Sequence, residues 1–192
     1  MRAAPTLLLV VLASAVLWAQ TTAVDSSAVA GMERKLRHIE SNAALPQPDQ
    51  TPTELTEPEI NAYLASGQVK LPAGVRSVHL EGQTEAVTGT ARVDFDQLNA
   101  GRRSYNPLLS VFSGIHDVVV VAHAHGAGRQ GFVQVDSVSL DSVEIPRFVL
   151  QLFVEKYLQP KYPNIGLDSR FALPDRIDTA RVGAHKLEIT QK

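Results

Sequence analysis

The chain has 192 residues, of which 44% are hydrophobic, with no cysteine and a formal net charge of -2. Its 18 Lys and Arg do not exceed its 20 Asp and Glu, so nothing in the charge balance favours nucleic acid as a partner. The lack of cysteine excludes disulfides, thiolate metal sites and a lipobox cysteine that could carry a lipid anchor.

Residues 1–23 predict a secretory signal peptide. Arg2 gives a positive start, residues 7–18 are almost continuously apolar, and small residues around Ala19 and Ala23 offer two cleavage sites. The apolar run is shorter than the ~20 residues that span a bilayer, although an uncleaved anchor remains the alternative. We therefore expect a periplasmic or secreted bacterial protein.

Residues 24–52 predict an N-terminal helix followed by a proline-rich linker. Apolar side chains recur at helical spacing from Ser26 to about Ala44, and the linker begins before Pro46. The remaining residues, 53–192, have the length of a single α+β domain.

A second helix has a well-defined start. Thr56 and Glu59 have the spacing of a capping box, and Leu55 and Ile60 occupy the positions of a hydrophobic staple. These signals predict a short helix that ends near Gly67.

The segments that follow alternate with a period of two, which is typical of antiparallel strands with one dry face and one wet face. The apolar positions of this pattern are Val78, Leu80, Ala91, Val93, Phe95, Leu187 and Ile189. Residues 117–125 and 132–145 predict a long hairpin. A change of apolar phase between Val135 and Val138 predicts a bulge, which would bend the sheet.

Residues 146–158 predict a helix that is apolar around most of its circumference. Its polar residues form one narrow stripe at Arg147, Gln151, Glu155 and Gln159. A helix with so wide an apolar arc must be enclosed on several sides, by a curved sheet, a dimer partner or a lipid.

A helix followed by a Leu-Pro pair and a strand pair occurs twice, in residues 56–95 and 146–189. Leu71-Pro72-Ala73-Gly74-Val75 aligns with Leu173-Pro174-Asp175-Arg176-Ile177. The predicted fold is therefore α+β, with a long curved antiparallel β-sheet wrapped around one or two amphipathic helices and a duplicated helix-plus-hairpin unit.

The helix start Thr56-Glu57-Pro58-Glu59-Ile60-Asn61-Ala62-Tyr63-Leu64 resembles that of small exported bacterial proteins of the tubular lipid-binding (BPI-like) superfamily. The apolar helix, the Leu173-Pro174 pair and the final hairpin are similar as well. The resemblance extends from about Ser26 to the C-terminus. It implies a curved antiparallel sheet around a helix, with a lengthwise apolar groove.

The polar motifs give weaker indications of function. Residues 126–131 match G-x-G-x-x-G, but strand-like alternation follows them, so a hairpin turn is the better interpretation. His123 and His125 share one strand face, and two solvent-side histidines are a simpler interpretation than a zinc site lacking further ligands. We interpret Asp94, Asp96, Asp136 and Asp141 as solvated charges on wet strand faces.

Two loop features remain open. Arg102-Arg103 is interpreted as a solubilising turn, with contact to anionic lipid headgroups as the alternative. Leu108, Leu109, Val111 and Phe112 form either a short core helix or a lid at the mouth of a groove.

The expected function is non-enzymatic sequestration of a lipid or other apolar small molecule between the curved sheet and the helix of residues 146–158, without cofactor or metal. Its predicted lining residues are Phe148, Leu152, Phe153, Tyr157, Phe95, Val93 and Val120. The alternative is an envelope interaction or scaffold protein with a filled core, whose partner is an envelope protein or a membrane surface. Hydrolase activity, which would rest only on the aspartates and histidines, ranks last.

Overall fold

The computed structural model describes residues 25–98, 107–160 and 162–192. The predicted signal peptide and Arg102-Arg103 lie outside these ranges. Among the described residues, no helix has the length and apolar character needed to cross a membrane.

The helices are α1 (Ser26–Ala43), α2 (Glu57–Ala65), α3 (Phe95–Leu98) and α4 (Arg147–Phe153), with a 3-10 turn at Pro107–Leu109 and a π-helical turn at Val154–Leu158. The strands are β1 (Thr53–Thr56), β2 (Val75–Gln83), β3 (Ala86–Asp94), β4 (Ile115–Ala127), β5 (Gln130–Leu140), β6 (Val143–Glu144), β7 (Asp168–Ala172), β8 (Ile177–Gly183) and β9 (Lys186–Gln191).

In the described part of the chain, these nine strands form one open antiparallel sheet. One series runs β2–β3–β4–β5, with β6 and β7 both paired to β5, and a second series leaves the far end of β4 through β8 and β9 to β1. The β4–β5 register shifts between Val121 and Ala122, opposite the extra residue Asp136. This bulge confirms the predicted phase change, and bulges of this kind increase the local twist and bend of a sheet.

Helix α2 begins at the predicted capping box. The Thr56 backbone N–H donates to Glu59 Oε2 at 2.9 Å, and Lys35 Nζ of α1 reaches the same oxygen at 2.6 Å. Asn61 of α2 then binds the backbone of Leu80 in both directions, with Nδ2 donating to its carbonyl at 2.7 Å and Oδ1 accepting from its N–H at 2.8 Å. The Asn61 side chain thereby satisfies both backbone groups of Leu80 on the outer edge of β2, which is the terminal strand of its series in the sheet.

A buried polar pair fastens α1 to the last strand. Asn42 Nδ2 donates to Gln191 Oε1 at 2.8 Å, while Gln191 Nε2 donates to the carbonyls of Ile39 and Asp175. Asn42 also exchanges two hydrogen bonds with the backbone of Asp49, so the linker of residues 45–52 is held against this pair. Every amide group of the pair thus has a partner, as buried polar groups require.

The duplicated unit is visible in the backbone hydrogen bonds. Val75 N–H donates to the Pro72 carbonyl at 3.0 Å in the first copy, and Ile177 N–H donates to the Pro174 carbonyl at 2.9 Å in the second. Each Leu-Pro turn is followed by a β-bulge at the same position, after Val75 and after Ile177. The two Leu-Pro segments are therefore equivalent in structure as well as in sequence.

The tips of the two repeated hairpins contact each other reciprocally. Glu85 N–H of the first tip donates to the Val182 carbonyl at 3.0 Å, and His185 N–H of the second donates to the Gly82 carbonyl at 2.9 Å. Glu85 and His185 are the positive-φ residues of their respective turns. A local twofold relationship therefore connects the two units.

Each core combines the helix of one unit with the hairpin of the other. The first core lies between α4 and strands β2 to β5, and the second lies between α1, α2 and strands β1, β8 and β9. In the second, Met32 and Ile39 of α1 pack with Leu55, Ile177 and Ile189. Helix α1 therefore shares a core with the C-terminal hairpin.

Candidate functional site

The larger core contains an aromatic cluster that we call the α4 cluster, formed by Phe95, Phe112, Phe153 and Tyr157. Phe153 lies at its centre, with ring centroids 4.1 Å from Phe112, 5.2 Å from Tyr157 and 5.6 Å from Phe95. All four residues are between 3% and 7% exposed. Such close packing of aromatic rings gives the region dispersion and quadrupole contacts in addition to its apolar burial.

The structure brings most of the predicted lining residues together. Six of the seven belong to this core or pack against it: Val93, Phe95, Val120, Leu152, Phe153 and Tyr157. Phe148 does not, because it lies on the outer side of α4 and is 60% exposed.

The helix of residues 146–158 differs from the predicted continuous α-helix. It is α-helical only to Phe153, and the following π turn carries Tyr157 into the cluster. In an α-helix of 3.6 residues per turn, each residue is displaced by about 40° around the axis from the residue four positions earlier. A polar stripe that repeats every fourth residue would therefore drift around the helix. The wider π turn reduces that rotation, and it keeps Glu155 on the exposed side while Tyr157 faces inward.

A short segment closes the α4 cluster from one side. Leu109 and Phe112, in and just after the 3-10 turn, are buried against α4, while the neighbouring Leu108 and Val111 are exposed. We call Leu109 and Phe112 the plug. The sequence left a core helix and a lid as alternatives, and the structure places a 3-10 turn with two core side chains here.

A separate apolar cavity of about 100 Å³ lies between α2 and the two hairpin tips, where the sequence predicted no site. Its apolar walls are Ile60, Leu80, Val87, Val182 and Leu187, and Glu57 and Lys186 also line it. The backbone N–H of Gly82 donates to Glu57 and lowers the pKa of that carboxyl. The duplication of the hairpin was the signal in the sequence that could have indicated this cavity, because Leu80, Val87, Val182 and Leu187 come from equivalent hairpins.

Asp94 corrects the prediction of a solvated carboxylate. It is 8% exposed, and its Oδ2 accepts from Arg76 Nη2 at 2.8 Å. Burial opposes its ionisation, but the hydrogen bonds from Arg76 and the Gln97 backbone outweigh burial and lower its pKa. Asp94 is therefore a structural anchor where β3 passes into α3, while Asp96 is exposed as predicted.

Asp141 pairs with a histidine that the sequence did not connect to it. His116 Nδ1 lies 2.6 Å from Asp141 Oδ2, and His116 Nε2 lies 2.8 Å from the Ser113 carbonyl. The bond to Asp141 raises the pKa of His116, and the same bond lowers the pKa of Asp141. This pair links the start of β4 to the turn after β5.

The hairpin of residues 117–145 has the predicted glycine-rich turn, with positive φ at Gly128 and Arg129 and no helix after it. His123 and His125 are both exposed. His123 Nδ1 pairs with Asp136 Oδ2 at 2.6 Å, and His125 stacks on Phe132 with ring centroids 4.9 Å apart. Within the described ranges, no group of three or more histidine or acidic side chains has the geometry of a metal site.

Comparisons of the chain with protein-family models, curated proteins and solved structures found no match in any of the three. The resemblance to the tubular lipid-binding superfamily therefore stays a prediction. What the structure adds is the geometry of the α4 cluster.

Proposed function

We propose that this chain is an exported, non-enzymatic binding protein that sequesters an apolar ligand, an acyl chain above all, between α4 and the curved sheet. The observation that carries the proposal is the α4 cluster, an aromatic core against which, in the described part of the chain, a plug of two side chains in and just after a 3-10 turn is packed. An acyl chain would replace the plug against Phe153 and Tyr157. Sequestration requires burial alone, so no catalytic group is needed.

The energetics favour such an exchange for long chains. Displacing the Phe112 side chain forfeits about 1.5–3 kcal/mol of burial, whereas each buried methylene contributes about 0.8 kcal/mol. About two to four methylenes therefore offset the loss of one ring. Longer acyl chains bury more methylenes than this, so they are the ligand class that we expect.

The place of action follows from the N-terminal sequence, whose positive start, apolar run and small residues motivate a periplasmic or secreted location. In that compartment the ligand would come from the cell envelope. N-terminal sequencing of the protein purified from its native host tests this step, and an intact Met1 on a cell-interior protein would refute it.

The decisive test of binding is lipid extraction and native mass spectrometry of the protein from its native host. We expect a bound acyl-chain compound, and a lipid-stripped protein that takes up a fluorescent fatty acid. Phe112→Ala should bind that probe about tenfold or more tightly, because no ring has to be displaced. Phe171→Ala is the matched control, since Phe171 is exposed on β7 and lies outside the core.

The close packing of the core also favours a second candidate, an envelope scaffold protein without ligand. In that case the exposed Phe148 contacts an envelope partner or a second copy, and Phe148→Ser lowers the mass measured by size exclusion. No lipid would then co-purify, and neither wild type nor Phe112→Ala would bind the fatty acid. Those two negative results would refute the acyl-chain proposal.

A further inference from the structure

The register of the sheet places a row of side chains on its surface opposite α4. Neighbouring strands pair Arg181 with His125, His125 with Phe132, and Phe132 with Arg170. Directly opposed residues share one face of a sheet, so these four side chains stand side by side across β8, β4, β5 and β7. We call them the cationic row.

The row is built around a stack of planar groups. The rings of His125 and Phe132 are nearly parallel, with an angle of 14° between them, and the Arg170 guanidinium lies 5.2 Å from the centroid of Phe132. The cation–π contact orients Arg170 and leaves the edge of its guanidinium free to donate hydrogen bonds. A groove of about 450 Å³ runs beside this stack, lined by His123, Gln134 and Ser169 as well.

The carboxylates beside the row already have cationic or histidine partners. Asp168 binds Arg147 at 2.8 Å, and Asp136 binds His123 at 2.6 Å. By contrast, among the described residues no carboxylate lies within 4 Å of the guanidinium of Arg170 or Arg181. Glu188, across the strand from Arg181, forms its ion pair with Lys186; the hydrogen bond from Lys186 lowers the pKa of Glu188 most, and the charge of Arg181 adds to that lowering from a longer distance.

Two guanidiniums that form no ion pair among the described residues therefore stand at the ends of the row, separated by three strand spacings of about 4.8 Å each. Guanidinium groups bind phosphate oxygens through a planar fork of donors, and a stacked arginine keeps that fork in place. We propose that the groove beside the cationic row binds the phosphate group of an anionic ligand, with Arg170 as the direct contact and Arg181 as the second cation.

The phosphate can come from a lipid headgroup or from a soluble phosphate compound, and two probes distinguish these sources. Inorganic phosphate is titrated into ¹⁵N-labelled protein, and shifts are followed at His125, Phe132 and Arg170. Sedimentation then compares vesicles of phosphatidylcholine alone with vesicles containing phosphatidylglycerol. Shifts confined to the row assign a soluble source, and selective sedimentation with phosphatidylglycerol assigns a lipid headgroup.

Each of the variants Arg170→Gln and Arg181→Gln should lower the affinity for inorganic phosphate or for phosphatidylglycerol vesicles, whichever binds, by about fivefold. The double variant should lower it further. Both residues are exposed, so these variants should fold like wild type, which circular dichroism checks. Arg34→Gln on α1 makes the same change of charge far from the row, and it should leave the binding unchanged. Absence of binding to both probes, wild-type binding by the double variant, or an equal loss in Arg34→Gln would overturn the proposal.

Discussion

Asn61→Ala tests how the outer edge of the sheet is closed. The wild-type side chain makes two hydrogen bonds of 2.7 and 2.8 Å to the backbone of Leu80, and alanine makes neither. A net value of about 0.5–1.5 kcal/mol for each bond gives a loss of about 1–3 kcal/mol in the free energy of unfolding. For a protein of this size each kcal/mol lowers Tm by about 2–4 °C, so we expect a decrease of about 2–12 °C.

Thermal unfolding followed by circular dichroism measures this change, and hydrogen exchange measures its location. The Leu80 amide should lose protection in Asn61→Ala, while amides of β3 should keep it. Asn61→Asp should not restore stability, because a carboxylate facing the Leu80 carbonyl cannot donate. Asn164→Ala is the matched control, since Asn164 is exposed in the loop before β7. Equal Tm values for the two alanine variants would show that Asn61 does not stabilise the edge.

Three further predictions concern other contacts. The hydrogen bond to Asp141 raises the pKa of His116 above its ordinary value of 6.5. The pairing therefore stabilises the fold fully below pH 6.5, and this stabilisation is lost as the pH rises through the raised pKa. The change of Tm between pH 5 and 8.5 should be smaller in His116→Gln than in wild type, and an identical profile would contradict the assignment. Gly74→Ala should lower the free energy of unfolding, measured with urea, by about 2 kcal/mol or more. Gly74 has a φ of +92°, and a Cβ at this position would overlap the backbone at the end of β3. A loss below about 0.5 kcal/mol would refute the steric argument. Gln191→Leu should lower the free energy of unfolding by about 3 kcal/mol in the same measurement, because it leaves the Asn42 amide without its buried acceptor. An unchanged free energy would show that water replaces the Gln191 side chain.

The sequence was most informative where one local rule decides the structure. The capping box at Thr56 and Glu59 predicted where α2 begins, and the phase change between Val135 and Val138 predicted the bulge opposite β4. The alignment of the two Leu-Pro segments likewise predicted two equivalent turns, and the same backbone hydrogen bond closes both of them. Each of these signals depends on residues that are close together in the chain.

The incorrect or incomplete predictions involve partners that are distant in sequence or a backbone change inside an element. Alternation placed Asp94 on the wet face, but Arg76 on the neighbouring strand and the start of α3 bury it. Phe148 is three residues from Gln151, about 60° around the helix, so it borders the polar stripe and is exposed. The cationic row could not be predicted at all, because it requires the register of four strands.

The reciprocal hydrogen bonds between the two hairpin tips have an evolutionary consequence. A polypeptide carrying one such unit could form the same pair of bonds with an identical molecule, since a symmetric dimer presents each surface to its own counterpart. Fusion of the two genes would then release each half from having to match the other. In the present chain one hairpin is covered by α4 and the other by α1 and α2, so two copies of one hairpin serve two unlike interiors.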